Sequence, residues 1–116
     1  MNWLPLITEE QLREINILSE QPSTKALLLF KHSTRCSTSS MALNRLERSW
    51  KFSDNEVPTY FLDLLQYRNL SHKIENLYGI QHESPQILVI KKGKCIYTSS
   101  HTDIYTPDIE AAIINS

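Results

Sequence analysis

Apolar positions along this chain fall into two kinds of pattern. In the first they recur every three or four residues: Leu12, Ile15 and Leu18; Ser39, Ala42, Leu43, Leu46 and Trp50; Leu70, Ile74, Leu77 and Tyr78; and Ile109, Ala112 and Ile113. That spacing places each set on one face of a helix. In the second they form short runs with polar flanks: Ala26 to Phe30, Pro58 to Leu62 and Gln86 to Ile90. Such runs suit strands, the first and last buried on both faces. Lys92-Gly93 then marks a tight turn, and Lys94 to Thr98 returns as an outer strand.

Boundary signals agree with these periods. Thr8 and Gln11 have capping-box spacing, and Ile7 with Leu12 has the spacing of a hydrophobic staple. The first helix stops before Gln21-Pro22, and Gly79 suits the position just past the third. Pro58 opens a strand, and Pro107 follows Thr106 at the start of the last helix. Arg45 and Arg48 fall on the water-facing side of the second helix. The order α-β-α-β-α-β-β-α predicts one α/β domain over residues 1–116. A βαβ crossover followed by an antiparallel hairpin builds a four-stranded mixed sheet flanked by helices on both faces.

Composition changes this picture little. At 116 residues, 41% apolar and 22% charged, the chain suits one globular core. A net charge of −1 without a dense basic stripe argues against nucleic-acid partners. Two glycines exclude a glycine-rich phosphate loop. No apolar run reaches membrane-span length and no basic, apolar leader is visible, so the expectation is a cytoplasmic protein with no membrane partner. Cys36 and Cys95 lie far apart, and a structural disulfide between them is not expected in a reducing compartment. His32, His72, His82 and His101 do not combine with them in zinc-site spacing, so no metal is expected.

The candidate chemistry centres on Cys36. It follows the apolar strand and the loop Lys31-His32-Ser33-Thr34-Arg35, and stands on the first turn of the second helix. Helix N–H groups without partners and the positive end of the helix dipole favour a thiolate there. Arg35 adds a cation, His32 adds a charge or a base, and Thr34 lies in the same loop. The alternative is a cysteine that only packs. Ser39 stands where a dithiol enzyme carries its second cysteine. It either donates a hydrogen bond to sulfur or fills the helix's buried face, and in neither case can it close a disulfide. Ser84-Pro85 precedes the strand Gln86 to Ile90, either as an ordinary strand start or as a cis bond facing the Cys36 loop. Ser84, Pro85, Ser37 and Thr38 are the candidate substrate contacts. Cys95 reads as a packed side chain. His82 and His101 are second-tier candidates, and His72 reads as solvated.

Together, the element order, the helix-start thiol and Ser84-Pro85 before a hairpin resemble the thioredoxin fold. More closely, His32-Ser33, Cys36 with Ser39, and His82-Glu83-Ser84-Pro85-Gln86 resemble the YtxJ family of monothiol bacilliredoxins. The resemblance runs over nearly the whole chain, and the His-Glu-Ser-Pro-Gln stretch is its most specific part. It implies a thioredoxin-like fold with Pro85 in cis. It also implies a role in the bacillithiol system of low-GC Gram-positive bacteria, where family members take this low-molecular-weight thiol off oxidised proteins. The family usually reads Thr-Cys-Pro-Ile-Ser around its nucleophile, where this chain has Arg35-Cys36-Ser37-Thr38-Ser39. Serine in place of proline frees an N–H on the first turn, and Arg35 adds a cation beside the thiol.

The function expected is therefore a monothiol thiol–disulfide oxidoreductase acting through Cys36. Its expected partners are bacillithiolated client proteins and bacillithiol, the latter as co-substrate, with no tightly bound cofactor. Two alternatives stay open: a redox-inert binding module on the same scaffold, and a glutaredoxin-like enzyme using another thiol such as coenzyme A or glutathione.

Overall fold

A computed structural model describes residues 1–116. Five strands and four helices follow one another as β1 (Trp3–Pro5), α1 (Glu9–Ser19), β2 (Leu27–His32), α2 (Ser37–Ser49), β3 (Thr59–Asp63), α3 (Arg68–Tyr78), β4 (Gln86–Lys91), β5 (Lys94–Ser100) and α4 (Thr106–Ile114). A single 3₁₀ turn, His101–Asp103, links β5 to α4. The strands form one sheet in the order β1-β3-β2-β4-β5. β1, β3 and β2 run parallel, while β4 is antiparallel to β2 and β5 to β4.

The four-stranded expectation is therefore one strand short. β1 has three residues, one of them a proline, and lies at the edge of the sheet. A segment so short shows no alternation, and proline at an edge costs no ladder bond on the solvent side. Its register, Trp3 beside Thr59 and Pro5 beside Phe61, makes β1-α1-β2 a second crossover ahead of the expected one.

Central position explains the burial of β2 and β4. Every residue of β2 is buried, as are all of β4 except Lys91. Alternate side chains go to opposite faces. Leu27, Leu29, Leu88 and Ile90 pack with Leu12 and Ile15 of α1 and Leu70 and Ile74 of α3. Leu28, Phe30, Ile87 and Val89 pack with Ala42 and Leu46 of α2 and Ile109 and Ile113 of α4. Both helix layers thus cover a face of the sheet.

Local signals mostly act as the sequence suggests. Thr8 and Gln11 close a capping box at α1. Gly79 caps α3 at φ 68°, and Lys92-Gly93 turns between β4 and β5 with both φ values positive. Two expectations change. Leu77 is exposed, since the buried stripe of α3 runs through Leu70, Ser71 and Ile74. Arg45 does not simply face water: its guanidinium donates twice to the Ile104 carbonyl, at 3.0 and 3.2 Å, and ties α2 to the start of α4.

Candidate active site

Cys36 is the N-cap of α2, one position ahead of the expected first turn, with extended backbone at φ −107° and ψ 119°. Its carbonyl accepts from Ser40 N–H at 3.1 Å and so begins the helix. Its own N–H donates to the Ser33 carbonyl at 3.1 Å, which closes the turn Ser33-Thr34-Arg35-Cys36. The side chain makes no capping hydrogen bond and is half-buried, while Thr34, Arg35 and Ser37 are exposed and Thr38 is half-buried. The thiol therefore stands at the rim of a helix whose first N–H groups lack intrahelical partners.

Ser39 acts on this turn from below. It is fully buried; its Oγ accepts from Ser33 N–H at 3.1 Å and lies 2.6 Å from His32 Nδ1. Ser33 is thereby held at its N–H by Ser39 while its carbonyl holds Cys36. The hydroxyl's partners are His32 and Ser33 rather than the sulfur.

His32 is not in the loop where the sequence reading placed it. It ends β2 and is only 5% exposed. Its ring packs against Phe30 and Phe61, with centroids 5.5 and 5.0 Å away. Burial lowers its pKa, and Asp63 offsets this only in part. The ring is neutral at pH 7, so it orients Ser39 and supplies no charge to the thiol.

The other wall of the site comes from β4. Lys31 pairs with Gln86 across the β2–β4 ladder, which brings residues 84 and 85 level with the Cys36 turn. The Ser84–Pro85 peptide is cis. The Pro85 carbonyl accepts from His101 N–H at 2.9 Å, so that acceptor is not free. Ser84 lies outside the ladder, and its N–H and C=O bond to no other group of the protein. Those two groups remain open to an extended substrate. Glu83 bonds to Ser100 Oγ and lies 4.0 Å from His101 Nε2, which holds the exposed His101 loop on β5's side of the site.

Lys31 and His82 form a further cluster beneath the loop, on the α3 face. Lys31 is completely buried, and burial lowers its pKa to about 8 despite the carboxylate of Glu75. Its Nζ lies 3.3 Å from His82 Nδ1, and Ser71 Oγ lies 2.7 Å from the same atom. The His82 N–H donates to Glu75 Oε2 at 2.8 Å. Lys31, Ser71 and Glu75 were missed as site residues. The available signal was a lysine extending a strand buried on both faces; the sequence reading ended that strand two residues early, at Phe30 rather than His32.

Cys95 stands apart from all of this. It pairs with Ile90, and Ile90 pairs with Leu27 at the start of β2. Five residue steps along β2 take Leu27 to His32, a rise of roughly 16 Å. A disulfide needs Cα atoms within about 7 Å, so Cys95 cannot resolve a disulfide at Cys36. It packs on the α1/α3 core, its Sγ bonds to the Tyr97 carbonyl at 3.3 Å, and burial raises its pKa. No group of three or more His, Cys, Asp and Glu side chains is arranged to hold a metal ion.

Comparison with solved structures returns the same architecture. One similar structure, described as a candidate oxidoreductase with a thioredoxin fold, is 25% identical, with a TM-score of 0.76 over 94% of this chain and 91% of the other. A thioredoxin from Malassezia sympodialis is 18% identical, with a TM-score of 0.71 over 98% of this chain and 90% of its own. A thioredoxin from Trypanosoma brucei brucei is 13% identical, with a TM-score of 0.73 over 98% and 89%. The fold is thioredoxin-like. Residues 5–109, from β1 to the start of α4, match the model of the family described as monothiol bacilliredoxin BrxC. A rim thiol with a serine one turn on, inside a thioredoxin-like fold and that family match, shows that this chain belongs to the monothiol bacilliredoxin family and has a thiol redox role.

Proposed function

We propose that this chain removes bacillithiol from mixed disulfides on oxidised protein cysteines, with Cys36 as the nucleophile. The Cys36 thiolate attacks the bacillithiol sulfur. The bond between that sulfur and the client sulfur breaks, and the client thiolate leaves and takes a proton from solvent. Cys36 then carries bacillithiol as a mixed disulfide. The thiolate of a second bacillithiol attacks the bound bacillithiol sulfur, releasing bacillithiol disulfide and the Cys36 thiolate. One disulfide is consumed and one formed, so no net oxidant is needed.

One observation carries this reading. Cys36 is half-exposed at the mouth of α2, its turn residue Ser33 lines one cavity with the unpaired Ser84, and no second thiol lies within disulfide reach. A monothiol must be cleared from outside, which calls for a small thiol as co-substrate. The helix N-terminus and the neighbouring Arg35 favour negative charge on the attacking and departing sulfurs. Thr34, Ser37 and Thr38 form the rim over which a client approaches. Ser39 and His32 are positioning residues that hold the Ser33–Cys36 turn. Both cysteines are free, in keeping with a cytoplasmic setting, and no helix is long and apolar enough to cross a membrane.

The test follows release of bacillithiol from a bacillithiolated client by intact mass. Wild type is expected to release the adduct and to carry it transiently, and Cys36→Ala is expected to do neither. Wild type that never acquires the adduct mass would contradict the mechanism.

A further inference from the structure

Between the Cys36 turn and the N-terminal half of α3 lies a cavity of about 220 Å³. Its polar lining is Ser33, Arg68, Ser71, His72, His82 and Ser84. Two of these residues belong to the reaction site itself: Ser33 holds the Cys36 N–H, and Ser84 is the unpaired peptide ahead of Pro85. The cavity therefore adjoins the turn that carries Cys36, although Cys36 itself does not line it.

Its side chains have one electrostatic bias. Arg68 is exposed and has no carboxylate within ion-pairing distance, and His72 is exposed without a hydrogen bond. Behind the wall, the fully buried Lys31 points its ammonium at His82 Nδ1. An ammonium can only donate, so Nδ1 is an acceptor and the ring proton sits on Nε2. That Nε2–H has no partner within the protein. Lys31, Arg68 and His72 all act on His82 as like charges, and Glu75 is the one acid that opposes them. Glu75 is itself engaged by the His82 backbone N–H. The Ser71 hydroxyl spends its proton on the same Nδ1, so the cavity offers a free guanidinium and an unpaired ring N–H, with net positive potential behind them.

We propose that this cavity binds the carboxylate-bearing arm of the low-molecular-weight thiol that exchanges at Cys36. The inference rests on the monothiol reading above, and adds to it that the co-substrate is selected for negative charge. Size limits the occupant. A volume of about 220 Å³ lies below the ~300–1,000 Å³ of sites that enclose a drug-sized ligand. It suits one acidic arm of a small molecule. Arg68 supplies the planar, bidentate donor that matches a carboxylate. With the arm held there, the thiol's sulfur is presented beside Ser33 and Ser84, where the Cys36 disulfide must be attacked.

Two measurements test this. Wild-type protein is titrated with succinate, and with neutral succinamide, while backbone amide shifts are followed by NMR. Succinate is expected to move the amides of Ser71, His72 and His82 saturably, succinamide is not, and Arg68→Gln is expected to weaken the effect by about tenfold, the scale of one lost charge-assisted contact. Separately, exchange at Cys36 is timed on a client peptide carrying mercaptosuccinate or 2-mercaptoethanol. Removal of the dicarboxylate is expected to be faster in wild type by about tenfold, and Arg68→Gln to bring that ratio close to one. Absent succinate shifts, or shifts matched by succinamide, overturn the proposal, as does a ratio of one in wild type. If succinate binds and neither adduct exchanges, the cavity stands as an anion site, and the monothiol reading and the co-substrate role fall together. If both adducts exchange equally and succinate does not bind, the monothiol reading stands and this inference alone falls.

Discussion

The two faces of the sheet each hold one cysteine and one buried basic side chain from the end of β2, and they use them in opposite ways. On the α2/α4 face, Cys36 stands at a helix mouth, and His32 is neutral, stacked on Phe30 and Phe61 and bonded to Ser39. On the α1/α3 face, Cys95 is packed into the core wall with its thiol hydrogen-bonded, and Lys31 is buried yet aimed at His82. Adjacent residues of one strand point to opposite faces. A single step along β2 therefore separates a group that fixes the Cys36 turn from a group that places positive charge behind a cavity. Both thiols are half-buried, so exposure alone does not distinguish them. Cys36 stands at a free helix end with no capping bond, whereas Cys95 lies in a strand with its thiol bonded to the Tyr97 carbonyl.

The largest effect that sharpens this contrast comes from exchanging the cysteines. Cys36→Ala is expected to remove adduct release altogether, whereas Cys95→Ala is expected to retain it within about twofold and to lose a little stability from packing. Release rates by intact mass and urea midpoints check both. A strong loss in Cys95→Ala would erase the distinction between the faces.

Lys31 gives the next largest effect, on stability against pH. The unfolded chain keeps the lysine proton up to about 10.5, and the folded chain keeps it only to about 8. Between those values the unfolded state binds more protons, so the Lys31 contribution to stability rises with pH across that window. Urea denaturation of wild type and Lys31→Met isolates it from other groups. Wild type is expected to gain about 2–3 kcal/mol relative to the variant between pH 7 and 10.5. A flat difference would mean that the ammonium is solvated.

Ser39→Ala is expected to act more mildly on the opposite face. It leaves Ser33 N–H and His32 Nδ1 without their partner, at a cost of about 1–2 kcal/mol. Loosening the turn is expected to slow exchange at Cys36 by several-fold, and Ser39→Thr, which keeps the hydroxyl, to recover part of the rate. Equal rates in wild type and Ser39→Ala would remove Ser39 from the positioning role.

The smallest effect lies on the acid side. His32 and His82 both have lowered folded pKa values, from burial first and, for His82, from its cationic neighbours as well. Stability from each is present above the ordinary histidine value of about 6.5 and is lost as pH falls below it. His32→Phe keeps the stacking on Phe30 and Phe61 and is expected to flatten the loss of urea stability between about pH 7 and 5.

The sequence shows long-period features well and short ones poorly. Helices α1 to α4 and the buried strands β2 and β4 carry enough apolar positions to declare a period, and the capping box at Thr8 and Gln11 marks a helix start within one turn. β1 declares nothing, because Trp3–Pro5 is shorter than one full alternation and its partner β3 lies more than fifty residues away. At the site, Cys36 and Ser84-Pro85 are legible as residue types in place. The partners of Ser39 and the direction of Lys31 are not. A hydroxyl chooses among nearby acceptors by tertiary geometry, and only the extension of β2 to His32 turns two loop residues into strand residues on opposite faces. Arg68 and His72 join the site because α3 starts beside it, a placement set by packing rather than by local pattern.

The most direct measurement is the site of modification itself. Reduced protein is exposed to a single equivalent of bacillithiol disulfide, digested and mapped by mass spectrometry. The expected result is one bacillithiol on the peptide containing Cys36 and none on the peptide containing Cys95. An adduct on Cys95, or none on Cys36, would contradict the assignment of the reactive sulfur to the mouth of α2.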